Sequence, residues 1–179
     1  VSKYLGRPPV LSYASYCLDN WYLIDKNKKI SLNNVALINN FLGGVDEDWF
    51  VTIHVCIEDA ASEAVRSTIA LVGETSDSKI ETHLKNILGS LEKVNSIFKR
   101  MPEKCDPYIY YHRVRPYIFG WKNNPDLPKG LIYDGFYKNK PQQFRGETGA
   151  QSSIIPLLDA LFDVKHKKDS LRDYLEEML

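Results

Sequence analysis

Apolar residues recur every three or four positions along most of this chain, the repeat of helices that bury one face. The clearest run is Ile80, Leu84, Ile87, Leu88, Leu91, Val94 and Phe98. Ser76 or Asp77 stands ready to cap its start, and the period holds to Lys99. Between Trp49 and Ile57 two signals conflict. The residues are β-branched and aromatic, which favours a strand. Asp46 as N-cap, acids in the first turn, an Ala-rich continuation to Leu71 and Gly73 beyond it favour a helix. One long helix is predicted, with Phe50, His54, Ile57, Ala61 and Ala64 on one stripe.

Elsewhere the signals are shorter. Leu11, Ala14, Cys17, Leu18 and Trp21 share a face, predicting a helix from Val10 to Asp25. Ser31 is placed to cap a short helix from Leu32 to Leu42, ended by Gly43 and Gly44. Asp106-Pro107 opens another, running to Trp121 with a kink at Pro116. Lys122 to Gln143 is rich in proline and glycine and reads as a long loop, the kind that often carries function. Helices are predicted for Ser152 to Val164 and, amphipathic, for Asp169 to Leu179. The fold class is all-α, a single helical domain over 1–179.

Composition narrows the function. The chain has 179 residues, 44% hydrophobic and 26% charged, enough to bury a core. Lys plus Arg and Asp plus Glu are 23 each, so the net charge is zero. That argues against nucleic-acid or membrane-surface binding driven by bulk charge. Cys17, Cys56 and Cys105 are odd in number, far apart and without metal-site spacing, which points to a reducing, cytoplasmic setting. No stretch approaches the roughly 18 apolar residues of a membrane span, and no secretory signal is present. The chain opens on Val1 without an initiator Met, so it is expected to be a piece of something longer.

Several residues could carry chemistry. In "FRGETGAQSSIIPLLDAL" a polar loop with Gly146, Thr148 and Gly149 precedes an apolar run. It is either a capped turn or an anion cradle at a helix start; no Lys follows the second glycine, so it is not a nucleotide-binding P-loop. His54 is either a satisfied core histidine or a reactive one, with Glu58 one turn on and able to orient the ring. Tyr111, Arg115 and Ile118 share a helical face. Arg115 there is either an internal salt bridge or a bidentate clamp on a ligand carboxylate. Tyr13 and Tyr16 belong to the core or line a pocket. His83 and His112 read as surface residues.

The blocks "VLSYASYCLDNW", "WFVTIHVCIEDAAS", "YHRVRPYIFGWKNNPDLPKGLIYDGF" and "QQFRGETGAQSSIIPLLDALF" resemble successive blocks of the indoleamine 2,3-dioxygenase family, in that family's order. The resemblance implies a helical fold holding haem b. It also implies insertion of O₂ into the indole ring of L-tryptophan or a related indoleamine, giving N-formylkynurenine. It places Arg115 on the substrate carboxylate and His54 at the distal position above the haem, where members carry Ser or His. Phe50, Tyr110 and Tyr111 take aromatic pocket positions. Tyr13, Tyr16 and Cys17 fall on the first pocket helix, and Ile118 lines the substrate side. Thr148, with Gly146 and Gly149, would meet a haem propionate and the substrate's polar end. The family's proximal histidine is expected outside this chain: His166, in a Lys-rich connection, matches it poorly, and the small N-terminal domain is also missing. Two other readings are a non-catalytic indole-binding module and a haem enzyme of the same scaffold acting on another indole.

Overall fold

The structure is a computed structural model and describes residues 2–166. The predicted helix from Asp169 to Leu179 lies outside the described residues. The remainder is mostly helical, as expected. In order come α1 (Ser2–Leu5), a π-helical turn (Ala14–Leu18), β1 (Trp21–Leu23), β2 (Val35–Leu37), α2 (Val45–Leu71) and α3 (Asp77–Phe98). There follow a helical stretch over 107–118, a long loop and the helix Ile154–Leu161.

The conflict in Trp49–Ile57 resolves as helix. The stretch lies inside α2, whose residues Trp49, Val51, Ile53 and Val55 are all buried. The helix begins at the N-cap Gly44, at φ 93°, rather than at Asp46. Glu47, three residues on, performs the capping in reverse. Its carboxylate accepts from the N–H groups of Phe41 (2.8 Å), Leu42 (2.9 Å) and Gly43 (2.9 Å) and from the Tyr16 hydroxyl (3.1 Å). A carboxylate at that place fits the positive end of the helix and satisfies donors that the preceding turn leaves open.

The expected helices of Val10–Asp25 and Leu32–Leu42 are not what forms. The first is cut to one π-turn, and an antiparallel hairpin follows, pairing Trp21 with Leu37, Tyr22 with Ala36 and Leu23 with Val35. Two buried asparagines explain it. Asn34 accepts from the Asp25 N–H (2.8 Å) and donates to the carbonyls of Asp25 (3.1 Å) and Lys29 (3.0 Å). Asn20 accepts from the Asn39 N–H (2.9 Å) and donates to its carbonyl (2.7 Å). These side chains offer the backbone partners that a helix would not use.

The short connection 72–76 returns α3 along α2. Ala61, Ala64, Ser67 and Ser90 are buried at the contact. Ser90 Oγ donates to the Ala60 carbonyl at 2.6 Å, a contact that small side chains permit. Asp106 caps the 107–118 stretch, accepting from the N–H groups of Tyr108 (2.8 Å) and Ile109 (3.1 Å). Instead of a simple proline kink, that stretch passes through a π-turn (Tyr110–Val114) just before Arg115 and Pro116. The missing N–H of Pro116 removes one helical bond. Among the described residues no helix is long and apolar enough to cross a membrane.

Glu47 generates the first prediction. Glu47→Ala leaves the buried Tyr16 hydroxyl and three part-buried backbone donors without their acceptor, so it should cost the full-length protein about 2–3 kcal/mol in urea unfolding. Glu47→Gln should fall between. A loss within about 1 kcal/mol for the alanine variant would show the hub to be dispensable.

Candidate functional site

Three segments meet at the middle of α2. His54 is half-buried there, and its Nδ1 lies 2.8 Å from the Phe50 carbonyl one turn back. A carbonyl only accepts, so Nδ1 carries the proton and donates. Burial lowers the pKa of the ring, against the opposing pull of that hydrogen bond and of Glu58's charge. The ring is therefore neutral and presents Nε2 as an acceptor. Phe50 stacks on Tyr110, with centroids 4.0 Å apart, and lies 4.2 Å from the His54 ring. Tyr13 stands edge-on to His54 at 5.9 Å.

The loop before Ile154 closes this cluster. An ideal Cβ on Gly149 would lie 3.4 Å from His54 Nε2, so the loop backbone runs directly beside the free nitrogen. Thr148 caps the single turn Gly149–Gln151, its hydroxyl accepting weakly from the Ala150 N–H at 3.4 Å. Gly146 has a backbone role: a Cβ there would overlap the Ile118 carbonyl, and one on Gly120 would overlap Gly146 N. The two strands of chain are held by Gly146 N–H to the Phe119 carbonyl (2.9 Å) and Glu147 N–H to the Ile118 carbonyl (2.8 Å).

Glu58 does not orient the histidine. Its Oε1 accepts from the Tyr13 hydroxyl (2.8 Å) and from Ser152 Oγ (2.7 Å), while Gln151 Oε1 accepts from the Tyr13 N–H (2.7 Å). Glu58 therefore fastens the first segment and the loop to α2. Tyr16 is committed to Glu47, and Cys17 and Ile118 are fully buried. Burial pushes the Cys17 thiol up, with help from the charges of Glu147 and Glu58, so it stays protonated.

The pair Tyr110 and Tyr111 separates. Tyr110 is buried in the cluster, whereas Tyr111 is 65% exposed and meets His112 edge-on. Neighbouring helical residues point about 100° apart, so one face cannot hold both. Tyr111 instead borders an open cavity of ≈ 390 Å³ with Arg115, Phe119, Lys122 and Arg145 among its walls. Arg115 is half-buried there, and no described residue gives its side chain a hydrogen bond or an ion pair.

Glu147 went unnoticed in the sequence and is the unusual member of the site. It is 0% exposed, and neither carboxylate oxygen has a hydrogen-bond partner. The buried Tyr110 hydroxyl is likewise without one. Burial pushes the Glu147 carboxyl up to about 7, and the nearby Arg115 charge pulls it down. The carboxylate in turn raises the pKa values of Tyr13, Cys17 and Tyr110, which places it among them. The only sequence signal was an acid between two glycines; its burial is a tertiary property.

The four histidines do different things. His166 pairs with Asp159 at 2.7 Å, and His112 is exposed. His83 is half-buried on α3 with Nδ1 lacking a partner, rather than fully at the surface. No group of three or more His, Cys, Asp or Glu among the described residues could hold a metal ion.

Comparison with known proteins gives the family. The profile of indoleamine 2,3-dioxygenase matches residues 1–179. Indoleamine 2,3-dioxygenase 1 of Rattus norvegicus is 39% identical over 99% of this chain, and the Saccharomyces cerevisiae indoleamine 2,3-dioxygenase is 33% identical over 97%. A 6-hydroxytryptophan 2,3-dioxygenase of Fusarium equiseti is 27% identical over 99%. The chain belongs to the indoleamine 2,3-dioxygenase family. It spans about 45% of the length of the rat relative.

The unpaired Glu147 carboxyl has a measurable consequence. Its pKa lies above the ordinary 4.5, so the stability linked to its proton is complete below about 4.5 and lost as pH rises to about 7. The full shift corresponds to about 3 kcal/mol. Full-length wild type should therefore lose more stability than Glu147→Gln between about pH 5 and about pH 8 in urea unfolding. Parallel losses in the two proteins would show that the carboxylate has a partner after all.

Proposed function

We propose that the full-length protein is a haem-dependent dioxygenase that inserts O₂ into the indole ring of L-tryptophan or a related indoleamine, yielding N-formylkynurenine. One observation carries the substrate reading most directly. Arg115 lines an open cavity, and although its charge acts on Tyr110 and Glu147, no described residue makes an ion pair with it, which leaves the internal salt bridge, its alternative role, unmade. Its planar fork suits a carboxylate from a ligand.

The residues present fit one wall of a haem site. His54, Phe50, Tyr110, Tyr13 and Gly149 form a largely apolar surface with a single acceptor nitrogen at its centre. No group of three or more His, Cys, Asp or Glu among the described residues could hold a metal ion. His54 holds the Phe50 carbonyl through one nitrogen and faces Gly149 with the other, and His166 is paired with Asp159. The protein ligand to the iron would come, as the family resemblance implies, from another part of the full-length protein. Haem, when bound, supplies the oxygen chemistry, and the protein supplies orientation and electrostatics.

The chain's own residues have defined tasks in this reading. Arg115 holds the substrate carboxylate. Phe50, packed against both Tyr110 and His54, and Tyr110 form the aromatic wall beside the indole. Neutral His54 accepts a hydrogen bond from the indole N–H through Nε2. Glu58 and Gln151 keep the Gly149 turn against His54, which narrows the space above the ring and keeps water out. Cys17, Ile118 and Tyr16 shape the wall from behind, and Thr148 holds the turn. Cytoplasmic residence belongs to the same proposal. The 6-hydroxytryptophan relative fits a scaffold that serves more than one indole.

The full-length protein should show a strong Soret band that shifts with CO, and should convert tryptophan to N-formylkynurenine. Haem-free protein that binds no indole would overturn the proposal. Arg115→Ala should weaken tryptophan binding by roughly ten-fold to a hundred-fold and leave indole, which has no carboxylate, unaffected. Arg115→Lys should restore binding only in part. Equal losses for both ligands, with a lower melting temperature, would make Arg115 structural. His54→Ser should retain the Soret band and lower turnover; loss of the band would make His54 the axial ligand.

A further inference from the structure

The loop's buried acid has no task in the function just proposed. Glu147 is fully enclosed, and both carboxylate oxygens lack a partner. A buried carboxylate in that condition is costly, and native proteins seldom keep one without a purpose. The surroundings do not supply a purpose. Its backbone N–H is already used on the Ile118 carbonyl, so the main chain is fixed while the side chain is not. The hydroxyl of Tyr13 is committed to Glu58, and that of Tyr16 to Glu47. The hydroxyl of Tyr110 is the one nearby that also lacks a partner. Arg115 is close enough for its charge to act on Glu147, yet no ion pair joins them. The result is one cation and one anion, near each other and both without a partner among the described residues.

We propose that Glu147 recognises the α-ammonium group of the substrate, so that Arg115 and Glu147 together read a zwitterionic amino acid, with the Tyr110 hydroxyl as a second acceptor beside Glu147. This rests on the indole reading of the site given above. The ligand's ammonium completes the valence of a carboxylate that the protein leaves open, and its carboxylate does the same for Arg115. Such a pair discriminates an amino acid from an amine or an acid carrying the same ring, because a lost ammonium leaves buried Glu147 unpaired and a lost carboxylate leaves Arg115 without its partner.

Three ligands separate the terms in the full-length, haem-loaded protein: tryptophan, tryptamine (no carboxylate) and indole-3-propionate (no ammonium). Glu147→Gln keeps the shape and removes the charge. It should weaken tryptophan and tryptamine by roughly ten-fold to a hundred-fold while indole-3-propionate binds as well as before or better. Glu147→Asp should recover part of the loss. Equal weakening of all three ligands, or unchanged binding of tryptophan, overturns the assignment of Glu147 and leaves the indole site standing. Failure of the wild type to bind any of the three overturns the indole reading and this assignment together. If Glu147→Gln does not fold, Glu147→Asp alone decides, since an ammonium contact predicts weaker tryptophan and tryptamine with unchanged indole-3-propionate.

Discussion

One carboxylate on α2 fixes the relation between the two ends of the chain. Glu58 Oε1 takes hydrogen bonds from Tyr13 and Ser152, residues on opposite sides of the site, and Gln151 closes the circuit onto the Tyr13 backbone. Tyr13 and Gln151 are 138 residues apart, so nothing local holds them together. Hydrogen bonds to a charged acceptor are shorter and stronger than neutral ones. They place the Gly149 turn beside His54 Nε2, and a binding wall needs that placement within about 0.5 Å. The aromatic contacts continue from there: Tyr13 meets His54 edge-on, and Phe50 packs against both His54 and Tyr110.

Glu47 and Glu147 show how the same residue type, equally buried, takes opposite parts. Glu47 accepts four hydrogen bonds, one from each of Phe41, Leu42, Gly43 and Tyr16. Its desolvation is offset on the spot, and it serves the fold. Glu147 accepts none, and burial displaces its pKa upward toward neutrality. A buried carboxyl left without a partner is a candidate for contact with a group from outside the chain, as proposed above.

The legible part of the sequence was the part governed by local periodicity. The period across Phe50, His54, Ile57, Ala61 and Ala64 outweighed the β propensity of Trp49–Ile57, because an acid-rich start and an Ala-rich continuation agreed with it. Asp106 capped as its position suggested, and Lys122–Gln143 is the expected long loop with one short turn (Tyr137–Asn139). The segment 10–42 misled because its apolar spacing fits a helix while Asn20 and Asn34 bind the backbone of a hairpin. That is a tertiary outcome which spacing does not encode. Tyr110 and Tyr111 part because neighbours on a helix cannot both turn inward: Tyr110 joins the buried cluster, and Tyr111 borders the cavity that Arg115 also lines. Glu58 lies one turn from His54 along the helix, yet its partners, Tyr13 and Ser152, come from segments far away in sequence. Glu147 offered no pattern at all, since neither its burial nor its lack of partners exists before the loop closes over it.

The stripe on α2 ties these points together. Glu47, Phe50, His54 and Glu58 follow one another at helical spacing, on one face about 16 Å long. The carboxylates at its two ends bind the chain segments that flank the site, one holding the 41–43 turn and the other the 151–152 loop. The aromatic ring and the imidazole between them are left to face whatever those segments enclose. The fold's requirement for a satisfied helix start and a fastened loop thus sets the frame, and the candidate site residues sit in the middle turns of the same helix. His54 can present an acceptor nitrogen there because its other nitrogen is occupied by the helix's own Phe50 carbonyl. The orientation of the ring is therefore built into α2 itself and does not depend on the loop it faces.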